Sequence, residues 1–171
     1  MVIMLDASNQ PRPDESAFDD RLRMKPDFQC VLHNRLAACP EESQVFYIVE
    51  CKRLGTPDRA DWVFNENYTR HGILRFREES HGYAKGFASG AMIGYLQSMQ
   101  PGKVLNEVNN SALAAGLPAI DAPKKWKTGN VTRLTSQAIE RSFPVTSFRL
   151  CHLWVDLRGS ENKKGAKRVR A

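Results

Sequence analysis

The stretch that decides the fold is Gln44-Val45-Phe46-Tyr47-Ile48-Val49-Glu50-Cys51-Lys52. Its β-branched and aromatic residues are typical of a β-strand, and the strand runs directly into a glutamate. Because side chains alternate along a strand, Glu50 and Lys52 face one side of the sheet and Cys51 faces the other. The sequence therefore predicts a carboxylate and an ammonium group side by side at the end of an apolar strand.

A second acidic position lies ahead of this strand, in the dipeptide Pro26-Asp27, which precedes a shorter apolar run. We predict an antiparallel hairpin with strands at about 27–36 and 44–52. Adjacent strands would bring Asp27 close to Glu50. Two carboxylates and an ammonium group at one point can hold a divalent metal ion against a phosphate.

The set Pro26, Asp27, Glu50 and Lys52 resembles the PD-(D/E)XK nucleases, the restriction-endonuclease-like superfamily. The resemblance covers about residues 23–100 and is closest to uncharacterised bacterial or phage members. It implies the α/β (α+β) class, with a central mixed β-sheet flanked by helices. It also implies metal-dependent hydrolysis of phosphodiester bonds in nucleic acid, with DNA as the expected substrate of an endonuclease.

The resemblance also assigns a role to each residue of the motif. Asp27 and Glu50 would hold Mg²⁺ or Mn²⁺, and the backbone carbonyl of Cys51 would be a third ligand. Lys52 would orient or deprotonate the attacking water, or offset charge on the phosphate in the transition state. Three nearby arginines are weaker candidates for phosphate contacts: Arg53, Arg70 and Arg75.

Each half of the motif has an ordinary explanation when it is taken alone. Glu-x-Lys on a strand is commonly a solvated cross-strand ion pair, and Pro-Asp is a common turn dipeptide. Superfamily members commonly have an acidic helix ahead of the Asp-bearing strand, whereas residues 1–23 are predicted to be mostly loop. A catalytically inactive nuclease-fold module that binds nucleic acid or a protein partner therefore stays open. So does a metal-dependent phosphatase or hydrolase of small substrates.

Composition and charge are consistent with one domain over residues 1–158, followed by a basic tail at 159–171 that is predicted to be disordered. The chain has 171 residues, a net charge of +6 and a sequence pI of about 9.3. That balance favours a polyanionic partner such as nucleic acid. A homodimer stays open, since no residue pattern marks a dimer face.

The cysteines and the apolar runs indicate a compartment. Cys30, Cys39, Cys51 and Cys151 form no CxxC pair and no zinc spacing, so we interpret them as reduced thiols in a cytoplasmic protein. No apolar run approaches the ~20 residues that a membrane helix needs. We therefore expect no membrane partner.

The remainder of the chain predicts three helices and a last strand. An amphipathic spacing of apolar residues indicates a helix over about 87–99, ended by Pro101-Gly102. The other predicted elements are a helix over Trp62–Phe76 that contains Gly72, a helix at about 103–115, a basic loop at 121–130 and a buried strand at 147–157.

Overall fold

The computed structural model describes residues 2–5, 25–33, 44–57, 59 and 62–159. The predictions for the N-terminal loop up to residue 23, for the connection between the first two predicted strands, for Cys39 and for the tail from residue 160 lie outside these residues.

The described residues form a mixed sheet with helices packed on it. Its strands are β1 Val2–Leu5, β2 Phe28–His33, β3 Gln44–Leu54, β4 Ser89–Leu96, β5 Val131–Arg133, β6 Gln137–Glu140 and β7 Ser147–Asp156. Between β3 and β4 lie α1 Phe64–Tyr68, a π-helical segment Thr69–Ile73 and α2 Leu74–Arg77, and after β4 comes α3 Pro101–Ala114. No helix in these ranges is long and apolar enough to cross a bilayer. The predicted combination of a mixed sheet and helices is confirmed.

The order of the strands places three parallel strands at the centre of the sheet. The sheet runs β1-β2-β3-β4-β7, and β5 and β6 both pair with the outer edge of β7. β3, β4 and β7 are mutually parallel, whereas β1, β2, β5 and β6 are each antiparallel to their neighbours. Parallel neighbours need crossover connections, and α1–α2 and α3 supply them. Because α1 contacts α3, both crossovers cover the same face of the sheet.

The strand register aligns residues of β3, β4 and β7 in transverse rows on the helix-covered face. One row is Glu50, Met92 and His152, and the next is Lys52, Gly94 and Trp154. Above and below these rows the face carries large apolar side chains that pack against the helices, among them Ile48, Leu54, Leu96 and Leu150. Glu50 and His152 are therefore polar side chains placed inside the main core.

The amphipathic helix predicted over 87–99 is wrong, because residues 89–96 form strand β4. A strand that is apolar on both faces gives a nearly continuous apolar run, which periodicity alone does not distinguish from a helix. Gly90 and Gly94 argue against a helix in this stretch, since glycine weakens a helix. At Gly90, an added Cβ would lie 2.8 Å from Phe76 Cε1, so the glycine makes room for an aromatic ring of α2.

The other sequence predictions fit the structure more closely. The helix over Trp62–Phe76 is confirmed as α1, the π-helical segment and α2, although its π-helical turn was not predicted. The helix at 103–115 is confirmed as α3, and the last strand is confirmed as β7 between β4 and the β5–β6 edge. β1, β5 and β6 were not predicted.

Candidate metal centre

Glu50 is the centre of a buried polar cluster on β3. Its side chain is only 1% exposed, because it faces the helices from an inner strand of the sheet. Lys52 Nζ and Arg75 Nη1 both donate to Glu50 Oε1, the latter at 2.8 Å. Glu50 Oε2 is also buried, and no hydrogen bond reaches it. One oxygen of the carboxylate is thus held by two cations, while the other is free to bind a ligand.

Burial raises the pKa of Glu50 above its ordinary value, although the charges of Lys52 and Arg75 act in the opposite direction. The negative charge of Asp27 adds to the increase. Because a raised pKa reflects the cost of keeping a carboxylate charged inside a protein, the site favours additional positive charge. A metal cation at Oε2 would supply it.

Asp27 approaches the cluster from the end of β2. The last β2–β3 pair is Phe28 with Val49, and Asp27 Oδ2 accepts a 2.6 Å hydrogen bond from the Cys51 amide just beyond that pair. The N–H and C=O of one strand residue point to the same edge, so the Cys51 carbonyl also faces the edge that Asp27 occupies. The hairpin geometry therefore brings Asp27, Glu50 and Cys51 together, as the sequence predicted.

Lys52 lies between the carboxylate and solvent. Its side chain is 19% exposed, and its stem passes close to the π-helical segment, where a Cβ added to Gly72 would lie 3.6 Å from Lys52 Cγ. The same Cβ would collide with the Met92 side chain. The absence of a side chain at position 72 thus lets the helix approach the strand at the point where the lysine leaves the sheet.

Arg75 was predicted only as a phosphate contact, but it is an integral part of the cluster. From α2 it reaches Glu50, and its Nη1 also lies 3.4 Å from the hydroxyl of the buried Tyr83. Its Nε is buried without a hydrogen-bond partner, while the side chain as a whole is 28% exposed. Burial and the charge of Glu50 raise the pKa of Tyr83, so the hydroxyl stays protonated.

The other two arginine candidates lie on the surface. The guanidinium of Arg53 lies 4.3 Å from the centre of the Phe64 ring. Arg70 is exposed and forms a 3.0 Å ion pair with Glu66, one turn earlier on the helix. The structure brings Arg75, and not Arg53 or Arg70, into contact with the predicted carboxylate.

The donor atoms of the cluster fit a hard divalent cation in part. Such cations take oxygen ligands and commonly complete their shell with water. The free Oε2 of Glu50, the exposed carboxylate of Asp27 and the carbonyl of Cys51 are oxygen donors of this kind. Within the described ranges, however, no group of three or more His, Cys, Asp or Glu side chains could hold a metal ion. The cluster suits a site with two carboxylates and several waters.

Two aromatic residues near the cluster belong to the core or pack against it. Tyr68 is buried and bonded to His152, and Trp126 packs against the buried Trp154 with ring centres 5.6 Å apart. His152 is itself buried, and burial lowers its pKa to about 3. These residues stabilise the core beside the Glu50 cluster and do not line it.

The comparisons with known proteins find no relative. The chain matches no protein-family model, no curated protein and no solved structure. Any functional assignment therefore rests on the residues and their geometry.

Proposed function

We propose that this protein is a Mg²⁺-dependent nuclease of the restriction-endonuclease-like type that hydrolyses phosphodiester bonds in DNA. The observation that carries the proposal is the buried Glu50 carboxylate, with one oxygen unpartnered, beside Asp27 and Lys52. Six buried side-chain polar atoms of the described residues have no hydrogen-bond partner, and Glu50 Oε2 is the carboxylate oxygen among them. Coordination of a metal ion by Glu50 and Asp27 would explain both the free oxygen and the exposed aspartate next to it.

In this proposal Asp27, Glu50 and the Cys51 carbonyl hold the metal ion. When bound, Mg²⁺ supplies a more acidic water and neutralises charge on the scissile phosphate. The Lys52 side chain is 19% exposed, and its ammonium group would be available to the attacking water and to a phosphate oxygen. Its role is to orient or deprotonate that water and to offset developing negative charge.

Arg75 adds a positioning role that the sequence motif does not contain. Its bond to Glu50 Oε1 fixes the carboxylate, and this orientation leaves Oε2 as the free ligand atom. The contact with Tyr83 further restricts the guanidinium. A carboxylate held in one orientation loses less entropy when it binds a metal ion.

The charge and the thiols are consistent with a nucleic-acid enzyme of the cytoplasm. The net charge of +6 favours a polyanionic partner. Cys30, Cys51 and Cys151 are free thiols, as expected for a reducing compartment. These two observations support the proposed substrate class and location without specifying a DNA sequence.

A second candidate is a catalytically inactive module on the same scaffold that binds nucleic acid or a protein partner. It is favoured by the two cations that already neutralise Glu50, since Lys52 and Arg75 both donate to Oε1. Such a cluster could be a structural ion-pair network. This candidate predicts salt-sensitive DNA binding without hydrolysis.

The decisive experiment compares cleavage of supercoiled and linear DNA in Mg²⁺, in Mn²⁺ and in EDTA. The test variants are Asp27→Ala, Glu50→Gln and Lys52→Ala, and the matched control is Glu140→Gln, an exposed carboxylate on β6. The proposal expects metal-dependent cleavage by the wild type and the control, and loss of cleavage in the three site variants. Calorimetric titration with Mn²⁺ should show that Glu50→Gln also weakens metal binding.

Two outcomes would count against the proposal. Cleavage that survives all three substitutions would show that the activity belongs to another site or to a contaminant. A folded wild-type protein that binds DNA, neither binds Mn²⁺ nor cleaves, and loses DNA binding at high salt would establish the inactive module instead.

A further inference from the structure

An exposed pair of aromatic rings lies on the surface next to the metal centre. The rings of Trp62 and His71 are parallel to within 3°, with their centres 6.1 Å apart. Trp62 is 44% exposed, and His71 is also exposed. Of the three tryptophans, Trp62 is the exposed one, whereas Trp154 is buried and Trp126 packs against it.

The pair is physically connected to the site by the helix that carries His71. The next residue, Gly72, packs against the stem of Lys52, and Arg75 lies one turn further along the same helix. The aromatic pair is therefore about one helical turn from the side chains that bind Glu50.

The surroundings of the pair carry positive charge as well as ring surface. Arg70 is exposed beside His71, where it also forms an ion pair with Glu66, and Arg53 extends over the Phe64 ring at the start of the same helix. Proteins commonly bind a nucleic acid strand through aromatic rings flanked by cations, since bases stack on the rings and phosphates pair with the cations.

We propose that Trp62 and His71 form a stacking platform for an unpaired nucleobase, so that the substrate of the metal centre is single-stranded or locally unpaired nucleic acid. The inference rests on the proposed nuclease function and specifies its substrate. Bases inside an intact duplex present only their edges in the grooves, whereas an unpaired base presents the flat face that an exposed indole can cover.

Binding measurements in EDTA test the platform separately from catalysis. Fluorescence anisotropy would follow an end-labelled DNA strand of about 15 nucleotides, near the upper end of known single-strand site sizes, and the same strand as a duplex. Trp62→Ala should weaken single-strand binding roughly 5- to 100-fold and change duplex binding little. Trp62→Phe, which keeps a ring, should restore most of the affinity. Leu113→Ala removes an exposed apolar side chain from α3 and should have no effect.

The intrinsic fluorescence of the protein gives a second reading. Addition of the unlabelled single strand should quench an emission component that is present in the wild type and missing in Trp62→Phe. Trp126 and Trp154 pack against each other, so they serve as the internal reference.

Three results would overturn the platform. One is single-strand affinity that Trp62→Ala leaves unchanged, and another is an equal loss of affinity for single strand and duplex. The third is a change in oligomeric state of Trp62→Ala, by analytical ultracentrifugation, with no change in DNA binding, since the surface would then be a protein contact.

Trp62-dependent single-strand binding in a protein that never cleaves would support the platform while the nuclease proposal failed. Glu50-dependent cleavage with no role for Trp62 would do the reverse.

Discussion

Two buried polar centres lie on the same row of the sheet, and they have opposite characters. Glu50 on β3 and His152 on β7 are separated by the fully buried Met92 on β4. Each has one buried atom without a hydrogen-bond partner, Glu50 Oε2 and His152 Nε2. They share the same face, the same covering helices and the same depth, so their difference comes from their neighbours.

The histidine centre is neutral and closed. Trp154 Nε1 can only donate, and it donates to the Tyr68 hydroxyl at 3.2 Å, while the same hydroxyl is hydrogen-bonded to His152 Nδ1 at 2.9 Å. All three side chains are buried. The glutamate centre is charged and open, because Lys52 and Arg75 are half-buried and Asp27 is exposed. A closed neutral network can only stabilise the fold, whereas an open charged one can exchange a partner for a ligand.

The largest expected effect comes from Glu50→Gln. If the protein is the proposed nuclease, cleavage should fall by roughly 10³-fold or more, since the amide lacks the charge that would hold the metal ion. Thermal unfolding should occur at a somewhat lower temperature, because the substitution leaves Lys52 and Arg75, whose side chains are 19% and 28% exposed, without their anionic partner. Initial cleavage rates and unfolding curves, measured beside Glu140→Gln, check both parts. A large loss of stability with cleavage intact would make Glu50 a structural residue.

Tyr68→Phe should produce the largest loss of stability. Removal of one hydroxyl leaves two buried groups, Trp154 Nε1 and His152 Nδ1, without partners. At about 1–3 kcal/mol for each of the two unsatisfied groups, we expect a cost of roughly 2–6 kcal/mol. Urea denaturation measures it, with Tyr95→Phe as a control on the partly exposed opposite face.

The cleavage rate of folded Tyr68→Phe should be unchanged. If its rate fell while its affinity for Mn²⁺ stayed normal, the two centres would be coupled through Met92, and the distinction between a structural and a functional centre would not hold.

The residues of the glutamate centre could be predicted from the sequence because they obey local rules. Alternation along one strand places Glu50 and Lys52 on one side, and a hairpin places Asp27 at the neighbouring strand end. Arg75 could not be assigned in this way. Its contact with Glu50 depends on how the π-helical segment and α2 pack on the sheet, and that contact joins residues that are distant in sequence.

The fold was harder to predict where packing overrides local pattern. β4 was mistaken for a helix because its two faces are both apolar. The pairing of β3 with β4 and of β4 with β7 could then not be predicted either, because both pairs require β4 to be a strand. β5 and β6 have three and four residues and too little pattern to be recognised. They are strands because the edge of β7 offers them partners.

Gly94→Ala should disturb the boundary between the two centres. Gly94 lies between Lys52 and Trp154 in the second row, and an added Cβ would lie 2.9 Å from Trp154 Cδ1 and would also collide with Leu54. Overpacking of this kind typically costs about 1–3 kcal/mol. The matched control is Gly102→Ala on α3, where nothing lies within 4 Å, and which should be neutral or stabilising by up to about 1 kcal/mol. Equal effects in urea denaturation would mean that position 94 is not tightly packed.

The two centres should also respond to acid in opposite directions. The pKa of His152 is lowered from 6.5 to about 3, so between these values the unfolded chain binds more protons than the folded one. Its contribution to stability is therefore lost as the pH falls, with a slope approaching about 1.4 kcal/mol per pH unit. The pKa of Glu50 is raised above 4.5, so its contribution is present below that pH and is lost as the pH rises through the folded-state pKa.

His152→Leu should flatten the loss of stability on acidification, whereas Glu50→Gln should make it steeper. Slopes decide the test, because His152→Leu also leaves the Tyr68 hydroxyl without its His152 partner and lowers stability at every pH. If the free energy of unfolding had the same dependence on pH in the two variants, the two centres would not respond to acid in opposite directions.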